Sequence, residues 1–265
     1  MALKSDPLLE IIQPEWNVAP HVQAAATCRA GGFSAQGYQS LNLATHVGDD
    51  PQTVSQNRRR LLTALDLPQP PRWVEQVHSP LVVCADDVPG SGNNRNRAQV
   101  TADGTWTDRP GTVCAVLTAD CLPVLLCDAA GTRVAAVHAG WRGLAAGILD
   151  SALGVFSDAG TTVQQLRVWF GPAIGPSAYE VDAVVRDAFL HREPACEDSF
   201  KESRPGHWQF SLYHAASAIL GARGVTDIGG GGLCTYSDER YYSYRRDRQC
   251  GRQATLIWLA DSANK

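Results

Sequence analysis

The chain alternates short apolar runs with clusters of Gly, Pro, Asp and Asn, a pattern that predicts strands and helices of modest length. Residues 1–20 read as an opening strand and linker, broken by Pro7, Pro14 and Pro20. The apolar stretch in "HVQAAATCRAGGFS" ends at the turn signal Arg29–Gly32. In "DDPQTVSQNRRRLLTALDL", Asp50 is a natural N-cap and Pro51 suits the first helical position. Val54, Leu61, Leu62 and Leu65 supply that helix's apolar positions. Residues Trp73–Cys84 predict two β segments meeting near His78-Ser79-Pro80, and further strands are predicted over Thr112–Thr118, Pro123–Cys127 and Arg133–His138. Leu144, Ile148, Leu149 and Leu153 recur at helical spacing and predict one buried-face helix.

Beyond it, "VQQLRVWFGPAIG" reads as a strand into a turn, "YEVDAVVRDAFL" as an amphipathic helix, and "GHWQFSLYHAASAILGARG" as a strand followed by a helix. A last strand closes the chain. The polar, turn-rich stretch 86–101 predicts a mobile surface loop. No internal repeat appears at the spacing of about 20–50 residues that marks solenoids. Strands outnumber helices and interleave with them. The expectation is a single α/β (α+β) domain over 1–265, with a mixed central β-sheet flanked by helices.

Composition narrows the function classes. With 265 residues, 44% hydrophobic and 19% charged, the chain can build a core without covalent staples. Its eight cysteines, with no secretion signal at the N-terminus, read as reduced thiols and point to the cytoplasm. No apolar run approaches the roughly 18 residues of a membrane span. The net charge of −4, with no basic stripe, argues against nucleic acid and for a small-molecule ligand.

Several polar residues interrupt the apolar pattern. His138 ends the strand of "VAAVHAGWRG", beside the N-terminus of the following helix, where it either faces a ligand or closes the strand. His78 stands at another strand end in "EQVHSP", and alone reads as a structural or solvated loop histidine before it reads as a ligand. In "LTADCLPVLLCD", Asp120 and Cys121 separate two apolar runs. One thiolate and two imidazoles form a set that zinc favours, with a fourth position open, although their spacing matches no zinc-finger knuckle. Asp120 either orients a ligand, handles a proton or caps a turn. Arg29, Arg58, Arg142, Arg245 and Arg246, near inferred turns, could each clamp a phosphate or serve as surface ion-pair residues. Tyr241, Tyr242 and Tyr244 alternate with polar residues, as on an edge strand or a stacking platform.

Taken in order, "RAGGFSAQGYQSLNLATHVGDD", "EQVHS", "TADGTWTDRPGTVCAVLTADCLPVLLCD", "VAAVHAGWRG", "GPAIGPSAYEVD" and "CTYSDERYYSYRRDRQCGR" resemble the signature blocks of the YfiH-type family, also called laccase-domain proteins or peptidoglycan editing factors. The resemblance spans nearly the whole chain. It implies zinc bound by His78, Cys121 and His138. Ser79 stands where the family often has Gly, and Ala178 where it often has Cys; neither change removes a ligand. Family members are described as copper polyphenol oxidases, as purine nucleoside phosphorylases with adenosine deaminase activity, and as editors of peptidoglycan precursors.

Chemistry weighs these descriptions. A blue-copper centre uses a His₂Cys set with a weak axial ligand such as Met, yet the only methionine here is Met1 and there are seven histidines. Copper at the same three ligands would be a secondary occupant. The expectation is a zinc-dependent purine nucleoside phosphorylase and adenosine deaminase, acting on adenosine, inosine, guanosine and methylthioadenosine. Cys121, His138 and Asp120 are the catalytic candidates, with Asn42, Arg58, Arg142 and Arg245 holding nucleoside and phosphate. One rival is a cysteine hydrolase of peptidoglycan precursors, with Cys121 as nucleophile, His138 as base and Asp120 orienting it. Another is a structural zinc module, for which Cys127 or Cys234 would be the fourth ligand.

Overall fold

The computed structural model describes residues 9–90 and 99–261. Its central strands have no solvent face. Every residue of β5 (Val113–Thr118), β6 (Leu122–Asp128), β7 (Val134–Ala139) and β13 (Gln253–Leu259) is buried. A strand buried on both sides needs a layer above and below it, and two sheets stacked face to face meet that need.

The first sheet has the order β1 (Ile11–Ile12), β2 (Val22–Thr27), β13, β5, all antiparallel. The second runs β12 (Ile228–Gly230), β8 (Leu166–Phe170), β6, β7, β4 (Gly104–Thr107), β3 (Val82–Cys84). It is mixed, because β12–β8 and β3–β4 are parallel pairs and the remainder antiparallel.

Alternation along each strand sorts the side chains into separate cores. Cys114, Val116 and Ile257 of the first sheet meet Leu125, Cys127, Val134 and Ala136 of the second between the sheets. Ala115, Leu117, Leu256 and Trp258 point the other way, onto Leu61 and Leu65 near the end of α1 (Pro51–Ala64). Val124, Leu126, Ala135 and Val137 point outward from the second sheet. They pack on α3 (Ile148–Ser157), α4 (Ala183–Arg192) and α5 (Leu212–Ala222). The α/β class and the mixed sheet are as expected; the single central sheet resolves into two, giving four layers. A small antiparallel sheet of β10 (Phe200–Arg204), β11 (His207–Phe210) and β9 (Glu180–Asp182) covers one end of the helical layer. Leu125 is fully buried between the sheets, so Leu125→Ala is expected to cost about 2–5 kcal/mol, read as a lower midpoint in urea unfolding.

Local grammar explains most boundaries. The Asp50 carboxylate accepts the Thr53 amide at 2.8 Å, and Pro51 opens α1. The helix expected from Trp141 onward is two helices, α2 (Trp141–Ala146) and α3. Gly147, at φ 98°, ends α2 in the left-handed region where only glycine sits without cost. Of the two β segments expected over Trp73–Cys84, only β3 forms; around Arg72 and Glu75 there are isolated bridges. Tyr241 and Tyr242 are no edge strand. Both are fully buried, the Tyr242 hydroxyl donating to the Tyr38 carbonyl at 2.6 Å, and Tyr244 begins the short α6 (Tyr244–Asp247). Half of the stretch expected as a loop, 86–101, is residues 91–98, outside the described residues. At its start, Asp86 accepts hydrogen bonds from Thr107 and Thr112.

Candidate metal centre and cavity

Antiparallel pairing of β6 with β7 sets Pro123 opposite His138 and Leu122 opposite Ala139. Cys121, one residue before β6, therefore arrives beside the C-terminal end of β7. His78 comes from the loop leading to β3, and two clamps hold that loop. The Gln76 amide spans the β5 backbone, donating to the Leu117 carbonyl and accepting its N–H, both at 2.8 Å. The second clamp is Asp103, whose carboxylate accepts the amides of Val77, His78 and Ser79 and the Ser79 hydroxyl.

The result is one compact donor group. Ligand atoms of His78, Cys121 and His138 lie within 4.8 Å of one another, with the Cys121 sulfur 3.7 Å from His78 Nε2. The two imidazole rings meet edge to face, their centroids 4.8 Å apart. Gly140 closes the wall: a Cβ there would stand 2.7 Å from His78 Cδ2 and 3.0 Å from the Cys121 sulfur. His78 itself takes φ 62°, a left-handed backbone that costs an ordinary residue about 1–2 kcal/mol. The Asp103 carboxylate, bonded at 2.9 Å to its amide, stabilises that conformation.

Asp103 also fixes the ring of His138. Its Oδ1 lies 2.8 Å from His138 Nδ1, and its carbonyl accepts the His138 amide at 2.7 Å. With Nδ1 committed to a carboxylate, Nε2 remains to face Cys121, the arrangement by which proteins orient a metal-ligating histidine. Burial opposes ionisation of the Cys121 thiol, but the charge and hydrogen bond of His138, with help from His78, hold it well below the usual thiol range. Burial likewise opposes charge on His138, yet Cys121 and Asp103 raise its proton affinity. Asp103 is desolvated too, but its bonds to His138 and Ser79 pull its carboxyl down to about 2. A thiolate and two imidazoles on three rigid supports fit a transition metal or zinc, and suit magnesium or calcium poorly. This group could hold a metal ion; Cys127, buried between the sheets, and Cys234, whose sulfur accepts the Gly175 amide, do not join it.

The group opens onto a cavity of about 610 Å³. Asp120, Arg142 and Arg245 line it, as do Trp141, Tyr179 and His46. Asp120 forms no hydrogen bond or ion pair with either imidazole. At φ 99° it turns the chain between β5 and β6, and its carboxylate accepts the Thr235 hydroxyl and the Arg245 amide, both at 2.7 Å. The carboxylate on His138 is Asp103 rather than Asp120. Asn42 and Arg58 do not line the cavity. Asn42 is fully buried and bonds Ala44, Asp49 and the Arg252 amide. Arg58 donates to the Leu43 carbonyl and lies 4.6 Å over the Trp73 ring. Arg29 pairs with Asp247, and Arg246 chelates the carbonyls of Thr235, Tyr236 and Tyr241.

Asp103, Tyr179, His46, Arg248 and Arg252 escape a reading by motif. For Asp103 the available signal was a carboxylate in "TADGTW", directly before a strand. Burial, with the Cys121 charge adding to it, raises the Tyr179 phenol, so it keeps its proton. Burial and the nearby Arg252 and Arg58 charges depress His46, which favours its neutral form.

Residues 23–260 match the family described as multi-copper polyphenol oxidoreductase laccase. The chain belongs to that family. Its relatives in this laccase-like family include a Pseudomonas aeruginosa protein named purine nucleoside phosphorylase, 46% identical over 252 residues that cover 94% of this chain and 98% of the relative. A second is the Escherichia coli purine nucleoside phosphorylase YfiH, 43% identical over 94% of this chain and 99% of that one. Among solved structures, Neisseria meningitidis NMB0706 superposes with a TM-score of 0.87 at 39% identity, covering 95% of this chain and 99% of that one. YlmD of Geobacillus stearothermophilus gives 0.83 at 32% identity, covering 92% and 94%. No helix among the described residues is long and apolar enough to cross a membrane.

Proposed function

We propose that this protein is a zinc-dependent purine nucleoside phosphorylase of the cytoplasm, with adenosine deamination as a second activity in the same cavity. The observation that carries the reading is the His78–Cys121–His138 group opening onto a cavity lined by Arg142 and Arg245. The names of the relatives agree with its phosphorylase part. The substrates are adenosine, inosine, guanosine and methylthioadenosine, with inorganic phosphate as the second reactant.

Zinc, when bound by these three residues, supplies Lewis-acid polarisation and makes water more acidic. The chain's own residues do the rest. Arg142 and Arg245 hold phosphate through planar forks, while the Tyr179 ring supports the Arg245 guanidinium from 5.1 Å. Phosphate oxygen bonds to C1′ as the C1′–N9 bond breaks, and the purine leaves with the electron pair and takes a proton. Tyr179 retains its hydroxyl proton and offers the departing base a hydrogen bond. Asp103 keeps His138 in one orientation throughout. In deamination, water adds at C6 and ammonia leaves.

Arg142→Ala or Arg245→Ala alone is expected to raise the KM for phosphate by about 10–100-fold, since one charged hydrogen bond is worth about 1.5–3 kcal/mol. Initial rates at varied phosphate measure this. Product separation after incubation with adenosine tests the function itself. Adenine and ribose 1-phosphate appearing only with phosphate, and inosine appearing without it, are expected; no change in adenosine overturns the reading.

One observation favours a second reading. Cys121, His138 and Asp103 form a thiol–imidazole–carboxylate chain of the kind that activates a cysteine nucleophile. In that case the protein is a metal-independent hydrolase of peptidoglycan precursors. Cleavage of a UDP-muropeptide by chelator-treated protein would establish it. Copper-dependent polyphenol oxidation is the weaker alternative, because multicopper chemistry needs several copper sites and the described residues bring together one ligand group.

A further inference from the structure

The cavity carries more positive charge than one phosphate requires. Arg142, Arg245, Arg248 and Arg252 all line it. None of the four forms an ion pair with an Asp or Glu among the described residues, whereas Arg133, Arg204, Arg223 and Arg240 elsewhere all do. Three of the cavity guanidiniums lie on aromatic rings instead: Arg142 at 4.4 Å from Trp141, Arg245 at 5.1 Å from Tyr179 and Arg252 at 5.8 Å from Tyr244. Asp120, the carboxylate on the cavity wall, is already engaged by Thr235 and the Arg245 amide. Arg245 and Arg252 are half-buried and Arg142 and Arg248 exposed, and four like-charged forks lining one cavity with no free carboxylate favour anionic ligands within it.

These cations divide into two groups. Arg142 follows the β7 end that carries His138, and the Arg245 amide is tied to the neighbour of Cys121, so both belong to the metal-site end. Arg252 starts from the other side of α6. Its Nη1 donates to the carbonyls of Cys250 and Gly251 at 2.9 Å, and its guanidinium lies over the Tyr244 ring. Arg248 turns back at the end of α6 with φ 60°, and His46 lines the same cavity within the field of Arg252. One phosphate held by Arg142 and Arg245 would leave Arg248 and Arg252 without an anion.

Building on the phosphorylase reading above, we infer that Arg248 and Arg252, with His46, form a second anion subsite that takes the phosphoryl group of a phosphorylated purine nucleoside. Inorganic phosphate occupies the Arg142–Arg245 subsite at the same time. The substrate range of the cavity then extends from nucleosides to nucleoside monophosphates.

Isothermal titration of the metal-loaded protein with adenosine and with adenosine 5′-monophosphate tests this, each with and without saturating inorganic phosphate. The nucleotide is expected to bind at least tenfold more tightly than the nucleoside under both conditions. That ratio falls toward one in Arg248→Ala/Arg252→Ala, and part-way in Arg248→Gln alone, with circular dichroism confirming the fold. An advantage that disappears once phosphate saturates would mean one anion site and would overturn the inference, as would a ratio unchanged in the double variant. The two proposals fail separately. Nucleotide binding that depends on Arg248 and Arg252, without phosphorolysis of any nucleoside, keeps the subsite and removes the phosphorylase reading. Adenosine phosphorolysis without a nucleotide advantage does the reverse.

Discussion

Asp103→Asn is expected to lower metal affinity by about 10–100-fold, the usual effect of losing a carboxylate that orients a ligating histidine. The expectation follows from how much converges on this fully buried side chain. It bonds His138 Nδ1, three consecutive loop amides and the Ser79 hydroxyl. Asparagine keeps one acceptor oxygen but replaces the other with a donor NH₂. At least one donor then faces another donor, at a cost of about 1–3 kcal/mol for the buried group left unsatisfied. The His78 loop loosens and two of the three ligand positions lose their fixed geometry together. Competition with a chromophoric chelator measures the affinity; an unchanged value would remove Asp103 from the account.

The same substitution has a pH signature. Asp103 titrates at about 2 in the folded chain against 3.8 for an ordinary aspartate. A depressed carboxyl contributes stability that is complete above the ordinary value and is lost as pH falls toward the folded one. The contribution is roughly 2 kcal/mol. Urea unfolding of the metal-free wild type should therefore weaken between about pH 4 and pH 2 more steeply than that of Asp103→Asn. Parallel curves would contradict the assignment.

Cys121→Ala carries the second large expected effect. It removes the one anionic ligand of the group, so stoichiometric metal should be lost and phosphorolysis should fall by more than the roughly 100-fold ascribed to an orienting carboxylate. Metal analysis of protein purified without chelator reads the first loss directly. Alkylation separates the ligand role from a nucleophile role. In metal-free protein, the two histidines outweigh burial and hold the Cys121 thiol low, so its thiolate persists at neutral pH and disappears only as pH falls through that lowered value. Burial pushes Cys28 and Cys127 up to about 12, and they stay protonated. Iodoacetamide should therefore label Cys121 in the metal-free protein and hardly at all after zinc is restored. At Cys234, burial is outweighed by hydrogen bonds from Ser237 and the Gly175 amide, which lower the thiol, so it should be labelled alike in both. Equal labelling of Cys121 with and without zinc would favour the nucleophile reading.

Much of this molecule is legible in its residue order because the strongest signals are local. Asp50 and Pro51 mark a helix start by chemistry confined to one turn, and the runs at Val113–Thr118 and Val134–Ala139 could only be buried strands. The division into two sheets was not legible. Alternate residues of β5, such as Val116 and Leu117, enter different cores, yet both cores are apolar and alternation leaves no mark. The break at Gly147 was hidden in the same way, since Leu144 and Ile148 keep their helical spacing across it.

The site divides similarly. The ordered blocks point to His78, Cys121 and His138, whereas Asp120 sat beside Cys121 in the chain and drew the role that Asp103 holds in space. Asp103 lies 35 residues from His138, and only the adjacency of β4 and β7 brings them together. Asn42 and Arg58 read as ligand-binding because polar residues near turns often are; their partners are buried backbone groups that only the fold reveals.

In the reading proposed above, His78, Cys121 and His138 hold zinc for phosphorolysis in the cavity they open onto. Phosphorus NMR of inosine incubated with inorganic phosphate tests it most directly, comparing zinc-loaded wild type with Cys121→Ala. A ribose 1-phosphate resonance growing with the wild type and absent with the variant is the predicted result. No such resonance with the wild type, or one growing equally with Cys121→Ala, would contradict it.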